Sequence, residues 1–214
     1  MSRLEEYIKR YEGLHTGTDP FYQKETLITD NNSMELFSGI QFLRKFPAHI
    51  KKISEQKKRA VTLLDYGCGR GHAPWRTHEQ YKNGLWGSLP TQIQNIYLYD
   101  PAWPPFATKP PQGWKFDVVG CADVMEHIPE EDVDTVLADI ASYCSPDGTI
   151  LFSISGNKAF KSFLDKENLH CTVRPIDWWK DKIESVCKRS YVLIHTDDKR
   201  TPSISTIIGT KGKA

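Results

Sequence analysis

Residues 62–71 read Thr-Leu-Leu-Asp-Tyr-Gly-Cys-Gly-Arg-Gly, with glycine at 67, 69 and 71. An apolar run that ends in an acid and passes into alternate glycines reads as a buried strand feeding a tight turn. Glycine lets the backbone take positive φ and come close to a ligand that side chains would keep away. The spacing is G-x-G-x-G, not the G-x-G-x-x-G of dinucleotide-binding turns. Taken alone the motif is weak, and a plain structural turn after a buried strand is its other reading. Its meaning depends on what stands at the other strand ends.

The chain has 214 residues, enough for one domain with a real core and a small lid. Its formal net charge is +1, so no global field favours nucleic acid or an acidic membrane surface. The local basic groups Lys51-Lys52, Lys57-Lys58-Arg59 and Lys211-Gly212-Lys213 read as solvated surface. The cysteines, at 68, 121, 144, 171 and 187, are odd in number and form no C-x-x-C pair. That argues against a zinc cluster and a disulfide framework, so no metal is expected, and it fits a reducing cytoplasm. The charged start Met1-Ser2-Arg3-Leu4-Glu5-Glu6 does not read as a targeting segment, and no apolar run is long enough to span a membrane. There is no internal repeat and no low-complexity tract.

Ser2 and Glu5 form a capping box, and Leu4, Tyr7, Ile8 and Tyr11 then share one helical face. Gly13 and the 16–20 cluster end this helix, with His15 just past its end. Such a helix either packs on the core or closes over a pocket. A second apolar stripe starts near 30–33 and runs through Leu36, Ile40, Leu43, Ile50 and Ile53, broken at Pro47. It leads into a strand over 61–65. A weak helix over 72–81 and a loop over 82–95 follow, then a second strand over 96–100 that ends in Asp100. Five prolines in 101–113 leave an extended crossover. A third strand over 116–121 is almost continuously apolar, as suits a buried parallel strand. Val133, Val136, Leu137, Ile140 and Ala141 give the cleanest helical period. A turn over 145–148, a fourth strand over 149–154, and helices over 157–164 and 176–187 come next. Strands over 191–195 and 203–208 form an antiparallel pair at one sheet edge.

This alternation predicts an α/β fold, a three-layer sandwich with a mostly parallel twisted sheet and a C-terminal antiparallel hairpin. Residues 1–59 form an N-terminal helical cap and 60–214 the main domain. Ligands of such sheets sit outside the carboxyl ends of the strands. The 65–71 turn, Asp100 and the 122–127 segment all fall at those ends.

With these pieces in place, the chain resembles the class I, Rossmann-like S-adenosylmethionine-dependent methyltransferases, closest to bacterial and phage members of unassigned substrate. The resemblance covers about residues 60–209. Leu63-Leu64-Asp65-Tyr66-Gly67-Cys68-Gly69-Arg70-Gly71 resembles the family's first motif. It implies that Asp65, Gly67, Gly69 and Gly71 bind the cofactor, with Asp65 and Gly67 at the methionine end. Asp100 resembles the acid that holds the ribose hydroxyls, with Pro101 and Ala102 beside it in the cofactor site. The 121–129 segment, Cys-Ala-Asp-Val-Met-Glu-His-Ile-Pro, resembles the stretch after the family's fourth strand and brings Ala122 and Asp123 to the methionine end. The 145–149 turn and the closing strand pair also match. The proline-rich 101–113 segment replaces or shortens the family's third strand, so adenine contacts fall to Ala102 and Trp103. Tyr11 and His15 resemble a Tyr and His of the leading helix in the same group, which gives them a place over the cofactor.

The resemblance implies transfer of a methyl group from S-adenosylmethionine, leaving S-adenosylhomocysteine, to an oxygen or nitrogen of a small-molecule or saccharide acceptor. The sulfonium brings its own positive charge, so alignment in a dry pocket supplies most of the rate. Glu126, His127 and His170 are the catalytic candidates, as a base or as groups that orient the acceptor. Each reads equally as a cap or a backbone partner. The adjacent Trp178 and Trp179 lie about 100° apart on a helix, so one of them is expected at a lid or binding wall, and the acceptor is expected to enter from their side. Asp100-Pro101-Ala102-Trp103 resembles the D-P-P-[YW] motif of adenine-N6 enzymes. That motif belongs on a different strand, and no basic stripe supports nucleic acid. The alternatives are a protein that binds or degrades the cofactor without methyl transfer, an RNA or DNA methyltransferase, and a dinucleotide dehydrogenase.

Overall fold

The computed structural model describes residues 2–16, 46–69, 92–159, 162–163 and 165–188, with backbone alone at 191–196 and 205–211. Among these residues six strands build one sheet: β1 (Val61–Tyr66), β2 (Ile93–Tyr99), β3 (Phe116–Ala122), β4 (Cys144–Ser155), β5 (Tyr191–Thr196) and β6 (Ser205–Lys211). Their order is β2-β1-β3-β4-β6-β5. The first four are parallel, β6 runs antiparallel to β4, and β5 antiparallel to β6. The sheet is therefore mostly parallel, as the sequence predicts.

Among the described residues, four α-helices flank or cap it: α1 (Arg3–Thr16), α2 (Pro47–Lys57), α3 (Val133–Tyr143) and α4 (Ile176–Cys187). Alternation along the strands sorts the layers. Leu63, Val118 and Leu151 face one side, with Phe46, Ile50 and Ile53 at and in α2. Leu64, Val119, Ile150 and Phe152 face the other, against Val136, Leu137 and Ile140 of α3 and Trp179 and Ile183 of α4. Burial of each such side chain stabilises by about 1.5–3 kcal/mol. Every residue of β3 except Ala122 is buried, as expected for a strand covered on both faces.

Several boundaries differ from expectation. β2 begins at Ile93, three residues earlier than its apolar run suggests. The turn at 145–148 lies within the span of β4 as an irregularity: Phe116 pairs with Cys144, but Val118 pairs with Thr149. The helix expected over 157–164 is absent among its described residues, where Asn168 bonds both main-chain groups of Ala159 and Ser162 bridges to Asn168. Side-chain amide capture of backbone groups competes with a helix in this way. Three-residue 3₁₀ turns stand at 104–106, 125–127 and 130–132, the last leading into α3. The crossover over 101–113 holds no α-helix. The expected helix starts near 30 and 72 lie outside the described residues. No described helix is long and apolar enough to cross a membrane.

One buried carboxylate ties two layers together. Arg59 donates both arms of its fork to Asp117 of β3 at 2.7 Å, and the Thr62 amide adds a bond at 3.0 Å. Burial pushes the Asp117 carboxyl up, but the Arg59 fork, the Thr62 amide and Lys57 outweigh it and hold the group down at about 2. A depressed carboxyl contributes stability above its unfolded value and loses it as pH falls through the folded one. Asp117→Asn is therefore expected to cost about 2 kcal/mol at pH 7. In urea melts at stepped pH, the gap between wild type and variant should close between about pH 4 and pH 2. A gap that stayed constant with pH would show that the carboxylate's charge plays no part.

Candidate functional site

The site grows from the carboxyl ends of β1, β2 and β3. Gly67 and Gly69 take positive φ, 77° and 57°. The amides of Gly67 and Cys68 donate to the Tyr99 carbonyl at 2.7 and 3.1 Å, which locks the turn to the end of β2. Asp100 then braces the turn from below. Its Oδ2 accepts the Gly69 amide at 2.7 Å and its Oδ1 accepts the Ala102 amide at 2.8 Å. Burial raises the Asp100 carboxyl, and the two amides counter part of that rise. Each oxygen spends one lone pair on backbone and keeps one for a ligand.

Asp65 sits beneath the turn, 1 % exposed. Its Oδ2 has no hydrogen-bond partner among the described residues. Burial, and then Asp100, push its carboxyl well above the usual range. A buried carboxylate with an orphaned oxygen is costly unless a cationic or donating group meets it.

The glycine turn and Asp100 border a cavity of about 510 Å³, while Asp65 lies behind them and is not among its lining residues. Gly67, Gly69, Asp100, Pro101 and Ala102 line one part, and Ala122, Asp123 and His127 another. Asp123 holds a φ of 54°; its amide donates to the Ser153 carbonyl at 2.8 Å and its Oδ1 accepts the Ser153 hydroxyl at 2.9 Å. Gly71 lies outside the described residues. Helix α1 closes the cavity with Leu4, Tyr7, Ile8, Tyr11 and His15. This answers the question its sequence leaves open: α1 covers the pocket. His15 is buried, with its ring 5.7 Å from that of Trp103.

Groups that no local pattern marks hold α1 in place. Arg10 reaches Glu167 at 2.7 Å and Asp165 at 2.8 Å, and its guanidinium lies 3.7 Å over the Phe163 ring. The Tyr7 hydroxyl donates to Glu167. Tyr66 and Lys109 also line the cavity, both bonded to Asp139 of α3 at 2.7 and 2.8 Å. These pairs are separated by tens of residues or more, so sequence spacing carries no signal for them.

The three acceptor-side candidates come together, in unequal positions. The Tyr11 hydroxyl donates to the Leu169 carbonyl at 2.8 Å and lies 2.6 Å from His127 Nδ1, which is 3.0 Å from the same carbonyl. A carbonyl only accepts, and the one hydroxyl proton is spent on it. The network thus assigns the ring proton of His127 to Nδ1 and the lone pair to Nε2. His170 Nδ1 lies 2.6 Å from the Asn157 carbonyl, so its Nε2 also keeps a lone pair. The two rings pack edge to face at 4.7 Å. Burial and His170 push His127 down to about 3, against the raising effect of Leu169, so the imidazole is neutral at physiological pH.

Glu126 is fully buried and is not among the cavity's lining residues. Its Oε1 accepts the Ser155 amide at 2.9 Å, and its carbonyl accepts the Thr172 amide at 3.1 Å. The backbone-partner reading of this residue describes its contacts. His170 is half-buried and meets the cavity through His127.

The tryptophan pair is corrected. Trp179 is buried in the core with Ile183. Trp178 is half-buried, packed against the edge of the same core, with the cations of Arg174 and Lys182 at 5.7 and 5.6 Å from its ring. Neither lines the cavity. The neighbours at 165–171 and α1 take the place the pair was expected to fill.

A methyltransferase domain family model matches residues 38–182, more than half of the chain. No curated protein matches. Among solved structures, magnesium protoporphyrin IX methyltransferase from Synechocystis PCC 6803 with bound S-adenosylhomocysteine is 16 % identical, with a TM-score of 0.57 over 97 % of this chain and 100 % of that one. The 1,6-didemethyltoxoflavin N1-methyltransferase of Burkholderia thailandensis is 14 % identical, with a TM-score of 0.54 over 100 % and 92 %. The N-methyltransferase NodS of Bradyrhizobium japonicum WM9 is 12 % identical, with a TM-score of 0.51 over 96 % and 100 %. At these identities the structures speak for the fold, and the family model speaks for membership. The chain belongs to the methyltransferase-domain family, in its class I, Rossmann-like form.

Proposed function

We propose that the protein transfers the methyl group of S-adenosylmethionine to an oxygen or nitrogen of a small, largely apolar acceptor. The observation that carries this is Asp100: a buried carboxylate at the end of β2, with each oxygen anchored on one backbone amide of the glycine turn or its neighbour. Its remaining lone pairs suit two vicinal hydroxyls, such as those of a ribose. The orphaned oxygen of Asp65 suits the cationic amine of the methionine moiety, with Gly67, Gly69, Ala122 and Asp123 along that path and Pro101, Ala102, Trp103 and His15 toward the adenine.

The sulfonium supplies the leaving group: the acceptor's lone pair bonds to the methyl carbon, the carbon–sulfur bond breaks, sulfur keeps that electron pair, and the proton of the acceptor's O–H or N–H passes to solvent. The protein aligns and dries the site. Helix α1 and the 165–171 segment serve as its lid, so the cap lies at the start of the 1–59 stretch, while α2 packs beneath the sheet. Leu4, Ile8, Ile128 and Leu169 give the lid side an apolar wall, which favours a flat apolar acceptor over a sugar. His127, with Tyr11 and His170, supplies the polar end that orients the reacting atom.

S-Adenosylhomocysteine at 100 times its Kd should stabilise the fold by about 2.7 kcal/mol. For a chain of this size that raises Tm by about 5–10 °C, whereas NAD should leave it unchanged. Label from methyl-labelled S-adenosylmethionine should move into an acceptor fraction of cell extract. Breakdown of the cofactor without extract would favour a degrading enzyme. Absence of any shift with S-adenosylhomocysteine would refute the cofactor assignment.

A further inference from the structure

We propose that Glu126, His127 and His170 form a binding site for one divalent first-row transition ion at the acceptor end of the cavity. A donor atom of each lies within 4.8 Å of a donor atom of the other two. Two imidazoles and one carboxylate are a common ligand set for zinc, manganese, iron and cobalt, and a poor one for magnesium, which asks for oxygen.

The surroundings of the rings carry the argument further than the cluster does. A metal-binding histidine characteristically donates its other ring N–H to a carbonyl or carboxylate, which fixes the tautomer and aims the lone pair. Both histidines do so, His127 to Leu169 at 3.0 Å and His170 to Asn157 at 2.6 Å. Glu126 is oriented in the same way by the Ser155 amide. The three supports come from two segments, Ser155 and Asn157 at the end of β4 and Leu169 beyond it, and Tyr11 of the lid adds a further contact at His127 Nδ1. Donors around a tetrahedral zinc lie about 3.4 Å apart at bond lengths near 2.1 Å. Donor atoms spread over as much as 4.8 Å would have to draw together to that spacing by side-chain rotation. The sequence expectation of no metal rests on cysteine spacing. Here the ligands are two histidines 43 positions apart and a glutamate beside one of them.

Three protein ligands leave a tetrahedral ion one open position. His127 lines the cavity, so an oxygen or nitrogen of the acceptor would complete the shell. That last step rests on the methyltransferase reading; the ion's binding does not.

The test uses the full chain, free of any tag, stripped with a chelator and titrated with Co²⁺ while visible absorption is followed. One Co²⁺ per chain is expected, with ligand-field bands that Zn²⁺ abolishes by displacement. Glu126 is buried and its replacement risks the fold, so His170→Ala, at a half-buried position, is the main variant. It should weaken Co²⁺ binding by more than the roughly 10–100-fold that loss of an outer partner costs, while keeping the heat shift with S-adenosylhomocysteine. No stoichiometric binding, binding unchanged in His170→Ala, or an intense near-ultraviolet sulfur-to-metal band would overturn the site. A wild-type chain that binds Co²⁺ without responding to S-adenosylhomocysteine would retain the metal site and sink the cofactor assignment instead. The converse pattern would sink the metal site alone.

Discussion

Asp100→Ala should lower the affinity for S-adenosylhomocysteine by at least about 100-fold, because two charge-assisted bonds of about 1.5–3 kcal/mol each are lost together. The loss has two sources. The ribose loses its acceptor, and the Gly69 and Ala102 amides lose the carboxylate that holds them. Asp100→Asn separates the two poorly but informatively. An amide keeps one accepting oxygen and turns an NH₂ toward one of the two backbone N–H groups, so it should fall close to the alanine variant. Calorimetric titration reads the affinity, and circular dichroism checks the fold. An alanine variant within about threefold of wild type would remove Asp100 from the site, since even one lost charge-assisted bond exceeds that. The ligand's hydroxyls are donors, so they favour the ionised carboxylate. Burial raises the Asp100 carboxyl; affinity should therefore begin to fall on acidification above the usual carboxylate range, and the alanine variant should lose Asp100's share of that fall while Asp65, also raised by burial, keeps its own.

The parts of the site written in contiguous residues are legible in the sequence itself. Leu63 to Gly69, Asp100 and 122–127 are each a strand end followed by its turn, and strand ends of a parallel sheet share one edge. The chain's own alternation of strands and helices is enough to bring them together. From its own residue pattern the lid is legible only as a helix, and its place over the pocket comes from the resemblance at Tyr11 and His15. Its position depends on Arg10 meeting residues 155 and 157 positions away and on Tyr11 meeting a carbonyl 158 positions away, and no periodicity encodes such pairs. The helix expected over 157–164 fails for the opposite reason. Its local pattern is acceptable, but the Asn168 amide takes the backbone groups of Ala159. The tryptophan pair shows a correct premise with a wrong destination. The two rings do diverge, yet Trp178 is covered by the cations of Arg174 and Lys182, and long basic side chains shield apolar surface well.

Gly67→Ala should destabilise the fold by about 2–5 kcal/mol, combining a left-handed backbone strain of about 1–2 with an overpacking cost of about 1–3. The backbone at Gly67 has a φ of 77°. A Cβ built there would stand 2.3 Å from Cγ2 and 2.9 Å from Cγ1 of Val124. Valine is stiff at χ1 and cannot swing both methyls aside. The clash couples the glycine turn after β1 to the segment after β3, two walls of one cavity. The design of the test follows from that coupling. Val124→Ala in the Gly67→Ala background should recover the overpacking part and leave the strain, so the double variant should be more stable than Gly67→Ala alone. Urea melts of the four proteins complete the cycle, and neighbours in contact should show a coupling of about 0.5–3 kcal/mol. If Val124→Ala gives no rescue, the turn's cost lies in its backbone alone and the two walls are independent. If rescue is seen, affinity for S-adenosylhomocysteine in the double variant becomes the informative reading. Recovery of stability without recovery of affinity would mean that glycine stands at 67 for the ligand's approach as well as for the valine.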